Sequence, residues 1–374
     1  MAGGINLASK YSPHVDERFT RESQAMLALN NDYEFTGVDT VKVYSIPVVP
    51  MTDYKRNGLS RYGTPTDLAR NVQTLKVQMD RSFTFIIDKG DKIQSQMVSD
   101  AGKALSRELA EVCVPEYDTY VFKTLAGAAV ANGNYATTAC TKANAYEMFL
   151  NANEALGNRN VPDKGRVAFC SYRFANLLKQ DSAFMRYGNA SQEMLIKGII
   201  GEVDGTQIVK VPSSRLPAGC AFILTHPIAA TGPKQLEDYK IHDNPPGVSG
   251  WLVEGRIIYD CFVLNEKAGA VYYHGSQAVL KNLIVGTAAT AVGKTTINVL
   301  SAMEGAKRYY VLADKASALT AVTYGTAITT SAWVELTAAA TEITPGAGKT
   351  AVRVVEVDAE GKPIAFGDAV LNVG

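Results

Sequence analysis

The sequence predicts an α+β body followed by an all-β sandwich. Three observations carry that prediction. Alternating apolar residues flank a polar loop and lead straight into an apolar stripe spaced four residues apart. Strand-like and helix-like runs then succeed one another between Gly133 and Gly275. Beyond residue 276 the chain turns dense in Ala, Thr, Val and Gly, and short strands recur between turns.

The bulk numbers set the class. An apolar fraction of 47% with 20% charged residues is that of an ordered globular chain. Basic and acidic residues balance at 37 each, which argues against a dedicated nucleic-acid binder. No apolar run is long enough to cross a bilayer, so no membrane partner is expected. The N-terminus shows no secretory pattern, and Ala2 and Asn6 break the myristoylation motif. The five cysteines are scattered without CxxC or CxxH spacing, which predicts reduced, mostly buried thiols.

Residues 1–35 are polar and read as an arm that needs a partner surface to become ordered. Within it, 20–30 (TRESQAMLALN) predicts a short helix with Thr20 as N-cap and Met26, Leu27 and Leu29 on its apolar side. Residues 36–90 form an extended loop. Its strands, 40–49 and 72–88, alternate with period two and predict a hairpin. The polar stretch 50–70 between them makes sense if the hairpin projects and packs on a neighbour.

The body, 91–275, opens with a helix predicted from Asp91 to Val114. Ile93, Met97, Ala101, Leu105, Leu109 and Cys113 form its stripe, widened by Val98 and Val112. Lys92, Asp100, Lys103, Arg107, Glu108 and Glu111 form its wet side. Pro115 predicts an end or a kink. Helices follow at 142–156 and 172–180, with strands at 166–170, 220–230 and within 250–275. The stretch 201–219, GEVDGTQIVKVPSSRLPAG, reads as strand, turn, strand. It is punctuated by Gly201, Gly205, Pro212, Pro217 and Gly219, and holds no nucleophile–base pair or metal ligand set. The last unit, 279–374, reads as a small β-sandwich of immunoglobulin-like size.

Candidate chemistry is thin. Gly-Lys-Thr occurs at 293–295 and 348–350, but Ala288 and Ile343 stand where a phosphate loop needs its first Gly, in strand-and-turn sequence. His14, His226, His242 and His274 show no metal-ligand spacing. His226–Cys220 or His242–Asp243 dyads lack an accompanying oxyanion element, and His226 reads as structural. The acidic run 355–362 lacks the ligand pattern of a calcium loop and reads as a solvated turn. No enzyme, cofactor or metal is expected. The loop tip carries Tyr54, Lys55, Arg56, Arg61 and Tyr62, basic residues interleaved with tyrosines. Three readings stay open for it: docking on acidic residues of a neighbouring subunit, binding single-stranded nucleic acid, or a merely soluble loop.

The order of arm, projecting hairpin, long helix, α/β lobe and returning strands resembles the major capsid proteins of tailed bacteriophages, the Hong Kong 97 fold. The resemblance covers about 1–275. It rests on the extended loop feeding the helix, on 201–219, on GRVAFCSYRFANLL and on DCFVLNEKAGAVYYH. It implies an N-arm, an extended loop, a spine helix and an axial lobe, with an immunoglobulin-like sandwich added. It also implies self-assembly into hexamers and pentamers of an icosahedral shell around double-stranded DNA. The chain would be made in the bacterial cytoplasm and end in the virion, with a separate scaffolding protein, a portal and packaged DNA as partners. Gly201, Gly205, Pro212 and Pro217 would then shape an axial-lobe turn, and the tip residues would contact another subunit. Some family members cross-link a loop lysine to an asparagine. Lys55 lies on the loop, and no acceptor or activating acid is identified for it. The last domain would face outward, for attachment to host glycans or for decoration. An encapsulin-type nanocompartment shell is the alternative.

Overall fold

The structure, a computed structural model, describes residues 23–30, 32–33, 40–45, 49, 51–57, 61–63, 71–77, 79–89, 101–181, 199–247, 249–283, 285–299, 306–328, 331–338 and 340–372. In chain order the body holds strands β1 (Thr40–Ser45), β2 (Asn71–Lys76) and β3 (Met79–Asp88). Helices α1 (Ala101–Glu108) and α2 (Val114–Ala131) follow, joined by a π-helical turn at Leu109–Cys113. Next come β4 (Tyr135–Ala136), α3 (Ala145–Gly157), β5 (Arg166–Ser171) and α4 (Tyr172–Gln180). Then come β6 (Ile199–Val203), β7 (Thr206–Val211), β8 (Cys220–Thr225), β9 (Ala230–Thr231) and β10 (Lys234–Asp243). β11 (Gly250–Tyr259), β12 (Phe262–Val263) and β13 (Val271–Gly275) close the body.

A mixed six-stranded sheet runs β4-β13-β8-β5-β7-β6. Its pleat sends successive side chains of β5 to opposite faces. Val167 and Phe169 join the larger core, where Phe122 of α2 lies 4.9 Å from Phe169. Ala168 and Cys170 face α3 and α4, where Phe174 meets Phe222 at 4.7 Å. All six residues of β5 are buried, which explains its continuous apolar reading. Helix α2 is therefore wedged between this sheet and a second one, β10-β11-β3, which contributes Tyr239, Ile241, Val253, Ile257 and Tyr259.

Four expectations need correction. The run 72–88 is two strands: β2 pairs β1, while β3 leaves the hairpin and pairs β11 from Met79 to Asp88. The alternation is real, but its halves serve different cores. Leu75 and Val77 pack with Leu264, whereas Phe83, Phe85 and Ile87 pack on the main core. Second, Pro115 does not end the helix. Cys113 and Val114 keep helical backbone, and Pro115 falls in the first turn of α2. The π turn before it widens the ring of backbone bonds where proline has no N–H to give. Third, Val112 does not widen the buried stripe; it is exposed, while Leu105 and Leu109 are buried. Residues 91–100, with Lys92, Ile93, Met97, Val98 and Asp100, lie outside the described residues. Arg107 does pair Glu111 at 2.9 Å on the wet side.

The fourth concerns the arm. Within the described residues it forms a single 3-10 turn at Ala25–Ala28, with Gln24 at the cap position. Ala25 and Ala28 are buried and Leu27 is exposed. Ala25 and Ala28 face inward where the backbone lies against α2 and the 227–232 segment, and Met26 and Leu29 also pack on the main core. Asn30 bonds the carbonyl oxygens of Ala230 and Pro227 through its backbone and side chain. This piece rests on its own chain. Residues 1–22, with Thr20 and His14, lie outside the described set.

The last unit contributes β14 (Lys281–Asn282), β15 (Val285–Ala291), β16 (Lys294–Val299), β17 (Lys307–Ala313), β18 (Val334–Leu336), β19 (Ala340–Ile343), β20 (Ala351–Val357) and β21 (Pro363–Val370). A five-stranded sheet, β14-β21-β20-β17-β18, faces a three-stranded one, β15-β16-β19. Ile297, Val299 and Ile343 of one sheet share a core with Leu336, Val352, Val354 and Ala365 of the other. The unit packs against α2 rather than trailing from it. A Cβ on Gly127 would come within 2.9 Å of Lys281 Cα, so the two backbones touch. Lys123 reaches over the Phe366 ring at 5.0 Å, and Tyr135 meets Tyr324 edge-on at 5.9 Å. Burial draws the Lys123 and Lys281 ammonium groups below the usual lysine range.

Candidate functional site

The structure places the sequence-predicted residues at two sites of opposite character. The first is the loop tip. The backbone N–H of Lys55 donates to the Arg61 carbonyl at 3.0 Å, and Thr52 Oγ1 donates to the Tyr62 carbonyl at 3.3 Å. These bonds bring the two limbs of the tip together and set Tyr54 and Tyr62 edge-to-face at 5.0 Å. Both rings face solvent, with Tyr62 at 87% exposure and Met51 at 101%. Lys55, Arg56 and Arg61 are exposed beside them. Further back on the same loop, Tyr44 and Val49 are also exposed. Aromatic and apolar groups held together in water form a surface suited to burial against another molecule.

The second is the turn-rich stretch 201–219. Asp204 and Gly205, at φ 50° and 72°, make the two-residue turn that joins β6 to β7. Gly201 sits in β6 opposite Ile208, beside a register shift. Pro212 accepts from Arg215 N–H and Pro217 from Cys220 N–H, so each proline opens a tight turn. Gly219 holds φ 74° in the second of these. The turns hold Val211 and Leu216 in the main core. A cavity of about 320 Å³ lies behind them, lined in part by Pro217, Cys220, Phe174 and His274.

Arg215 projects from this turn to Asp118 of α2, with 2.9 Å between Nη1 and Oδ2. Asp118 is fully buried. It also accepts from Ser23 Oγ at 2.6 Å and from the N–H groups of Gln24 and Ala25 at 3.2 Å each. One carboxylate thus joins the arm, α2 and the 212–217 turn. Sequence reasoning missed it. The signal was present: Asp118 falls on the same helical face as Val114, Val121 and Phe122, where a charge must find partners.

The histidines among the described residues bond to backbone or to a cross-strand carboxylate. His226 Nδ1 accepts from Ile228 N–H, and Nε2 lies 3.1 Å from the Lys164 carbonyl. His242 meets Glu254 across strands, with neither Cys220 nor Asp243 as partner of these rings in their hydrogen bonds. His274 is buried, with Nε2 2.8 Å from the Thr138 carbonyl, and burial lowers its pKa. Burial pushes the Cys113 and Cys140 thiols up to about 12 and about 11. Among the described residues no three His, Cys, Asp or Glu side chains converge as metal ligands, and no helix is long and apolar enough to cross a membrane. The Gly-Lys-Thr at 293–295 spans the β15–β16 hairpin turn, where Lys294 pairs Glu342 at 2.7 Å. In the acidic run Asp358 Oδ1 accepts from Glu360 and Lys362 N–H groups and closes a turn.

No protein-family model and no curated protein matches the chain. Solved structures do. A chain titled Mycobacterium phage Che8 is 20% identical, with a TM-score of 0.56 over 68% of this chain and 91% of that one. A chain from the capsid structure of cyanophage P-SCSP1u is 13% identical, with a TM-score of 0.49 over 64% and 84%. A chain from a virus-like particle of Pyrococcus furiosus is 11% identical, with a TM-score of 0.44 over 72% and 100%. The likeness to the Che8 chain shows the fold: this chain has a phage capsid fold, with a β unit added.

Proposed function

We propose that this chain is the major capsid protein of a tailed bacteriophage. It assembles with copies of itself into hexamers and pentamers, and these close an icosahedral shell around double-stranded DNA. The observation that carries the reading is the pairing of that fold with a loop tip of clustered, exposed Tyr54, Tyr62 and Met51. Apolar surface of this kind gains by burial, at about 25 cal/mol per Å². In the assembled shell each tip lies on a neighbouring subunit, with Lys55, Arg56 and Arg61 aimed at its acidic residues. Gly201, Gly205, Pro212 and Pro217 give the axial lobe its shape and have no chemical duty. A scaffolding protein, a portal and packaged DNA are the further partners, and the virion is the site of action.

The β unit from 279 onward is displayed on the shell as a decoration fixed to its own subunit. The contact of Gly127 with Lys281 and of Lys123 with Phe366 supports a rigid mounting over a flexible tether.

Deleting 51–70 tests the reading. The variant is expected to be soluble, with the circular dichroism of the intact body, and to yield no closed particles. Normal particles from that variant would remove the tip from the assembly interface.

A further inference from the structure

We infer that Asp118 is a shared latch through which the 212–217 turn sets the position of the N-terminal arm. The carboxylate is fully buried, and each of its two oxygens takes two partners. Oδ1 takes Ser23 Oγ and the Ala25 N–H, both from the arm. Oδ2 takes the Gln24 N–H from the arm and Arg215 Nη1 from the turn. The arm therefore brings three neutral donors, and the turn brings a positive charge. A carboxylate withdrawn from water needs both its counter-charge and its hydrogen bonds.

This makes arm and turn conditional on one another. Without Arg215 the buried charge lacks its cation, and water competes with the arm donors for the same oxygens. Without the arm, Arg215 faces a carboxylate with open acceptor sites. A second tie reinforces the first: Gln24 Nε2 donates to the Lys210 carbonyl at 2.7 Å, at the end of β7 just before the turn. Downstream, the arm is fixed independently by Asn30 on the 227–231 segment. Among the described residues of the arm, those at 23–25 are the ones tied to the turn and to the strand that leads into it. Asp118 and Arg215 are positioning residues in this scheme. The inference stands on the fold; its use in the shell, placing each arm before subunits meet, rests on the capsid reading.

Hydrogen exchange on the unassembled full-length chain tests the latch without requiring shells. In R215A the peptide covering 23–28 should exchange at least tenfold faster, while the β13 peptide at 271–275 keeps its wild-type rate. R215K keeps the charge and should recover part of that protection. In S23A the peptide covering 212–217 should exchange at least tenfold faster. Unchanged exchange at 23–28 in a folded R215A chain would overturn the inference. If R215A loosens 271–275 as well, the decision passes to S23A: faster exchange at 212–217 supports the latch, and a wild-type rate there overturns it. Shell formation, or its failure, in these variants bears on the capsid reading alone.

Discussion

The loop tip and the 201–219 stretch look alike as sequence, since both are polar, turn-rich and free of catalytic residues, yet the molecule treats them in opposite ways. Hydrogen bonds from Lys55 to Arg61 and from Thr52 to Tyr62 join the limbs of the tip, which leaves Met51 and Tyr62 in water. The 201–219 stretch buries Val203, Ile208, Val211 and Leu216 and sends Arg215 to a buried acid. The difference lies in spacing. Alternate apolar residues around Gly205 let both strands join a sheet, whereas 50–63 has no period that a sheet or helix could use. The turn with periodic flanks is built into the sheet; the tip, without them, leaves its aromatics in water.

That contrast can be broken by substitution, measured as stability of the unassembled chain. Leu216→Ala should cost the most, about 2–5 kcal/mol by urea unfolding, because it opens a cavity in the main core. A loss under about 1 kcal/mol would mean the turn is not integral to that core. Gly219→Ala should cost about 1–2 kcal/mol, since φ 74° is left-handed backbone that a Cβ disfavours. Tyr54→Ser with Tyr62→Ser should change stability by no more than about 0.5 kcal/mol, as for other exposed sites, yet sharply reduce assembly. A large loss of stability there would make the tip part of the fold and erase the contrast.

The smallest effect sharpens the picture near the turn. Cys140 lines the cavity behind Pro217, and burial holds its thiol at about 11. The thiolate is the reactive form, so at pH 8 only about 0.1% of it is ready to react, against roughly a quarter for an ordinary thiol. Labelling by a disulfide reagent should be slow at pH 8 and rise about tenfold per pH unit up to pH 10. Fast labelling at pH 8 would show that the cavity opens to water.

Most of the body was legible because its elements obey one period each. Helices α3 and α4 and strands β5, β7 and β8 appear where the apolar spacing puts them. What failed did so for physical reasons. β10 was missed because KQLEDYKIHD carries charges on both sides of Tyr239 and Ile241, which masks its alternation. The split between β2 and β3 leaves the alternation unbroken, and only pairing with β11 reveals it. In the last unit β15 and β19, rich in Ala and Thr, carry no clear apolar alternation to read. In the arm only Leu27 departs from the expected apolar side; Met26 and Leu29 pack on the main core beside the buried Ala25 and Ala28. Of the candidate sites, the tip was readable from composition. The junction at Asp118 joins residues 23, 118 and 215, a separation that no local pattern spans.

The central claim is that this chain closes shells through its projecting tips. Electron microscopy of the full-length chain, expressed alone and with a candidate scaffolding protein, tests it most directly. The account predicts angular, uniform closed particles, or capsomers of five and six copies, that vanish with the Tyr54→Ser and Tyr62→Ser pair. Monomers in every preparation, or particles indifferent to that pair, would contradict it.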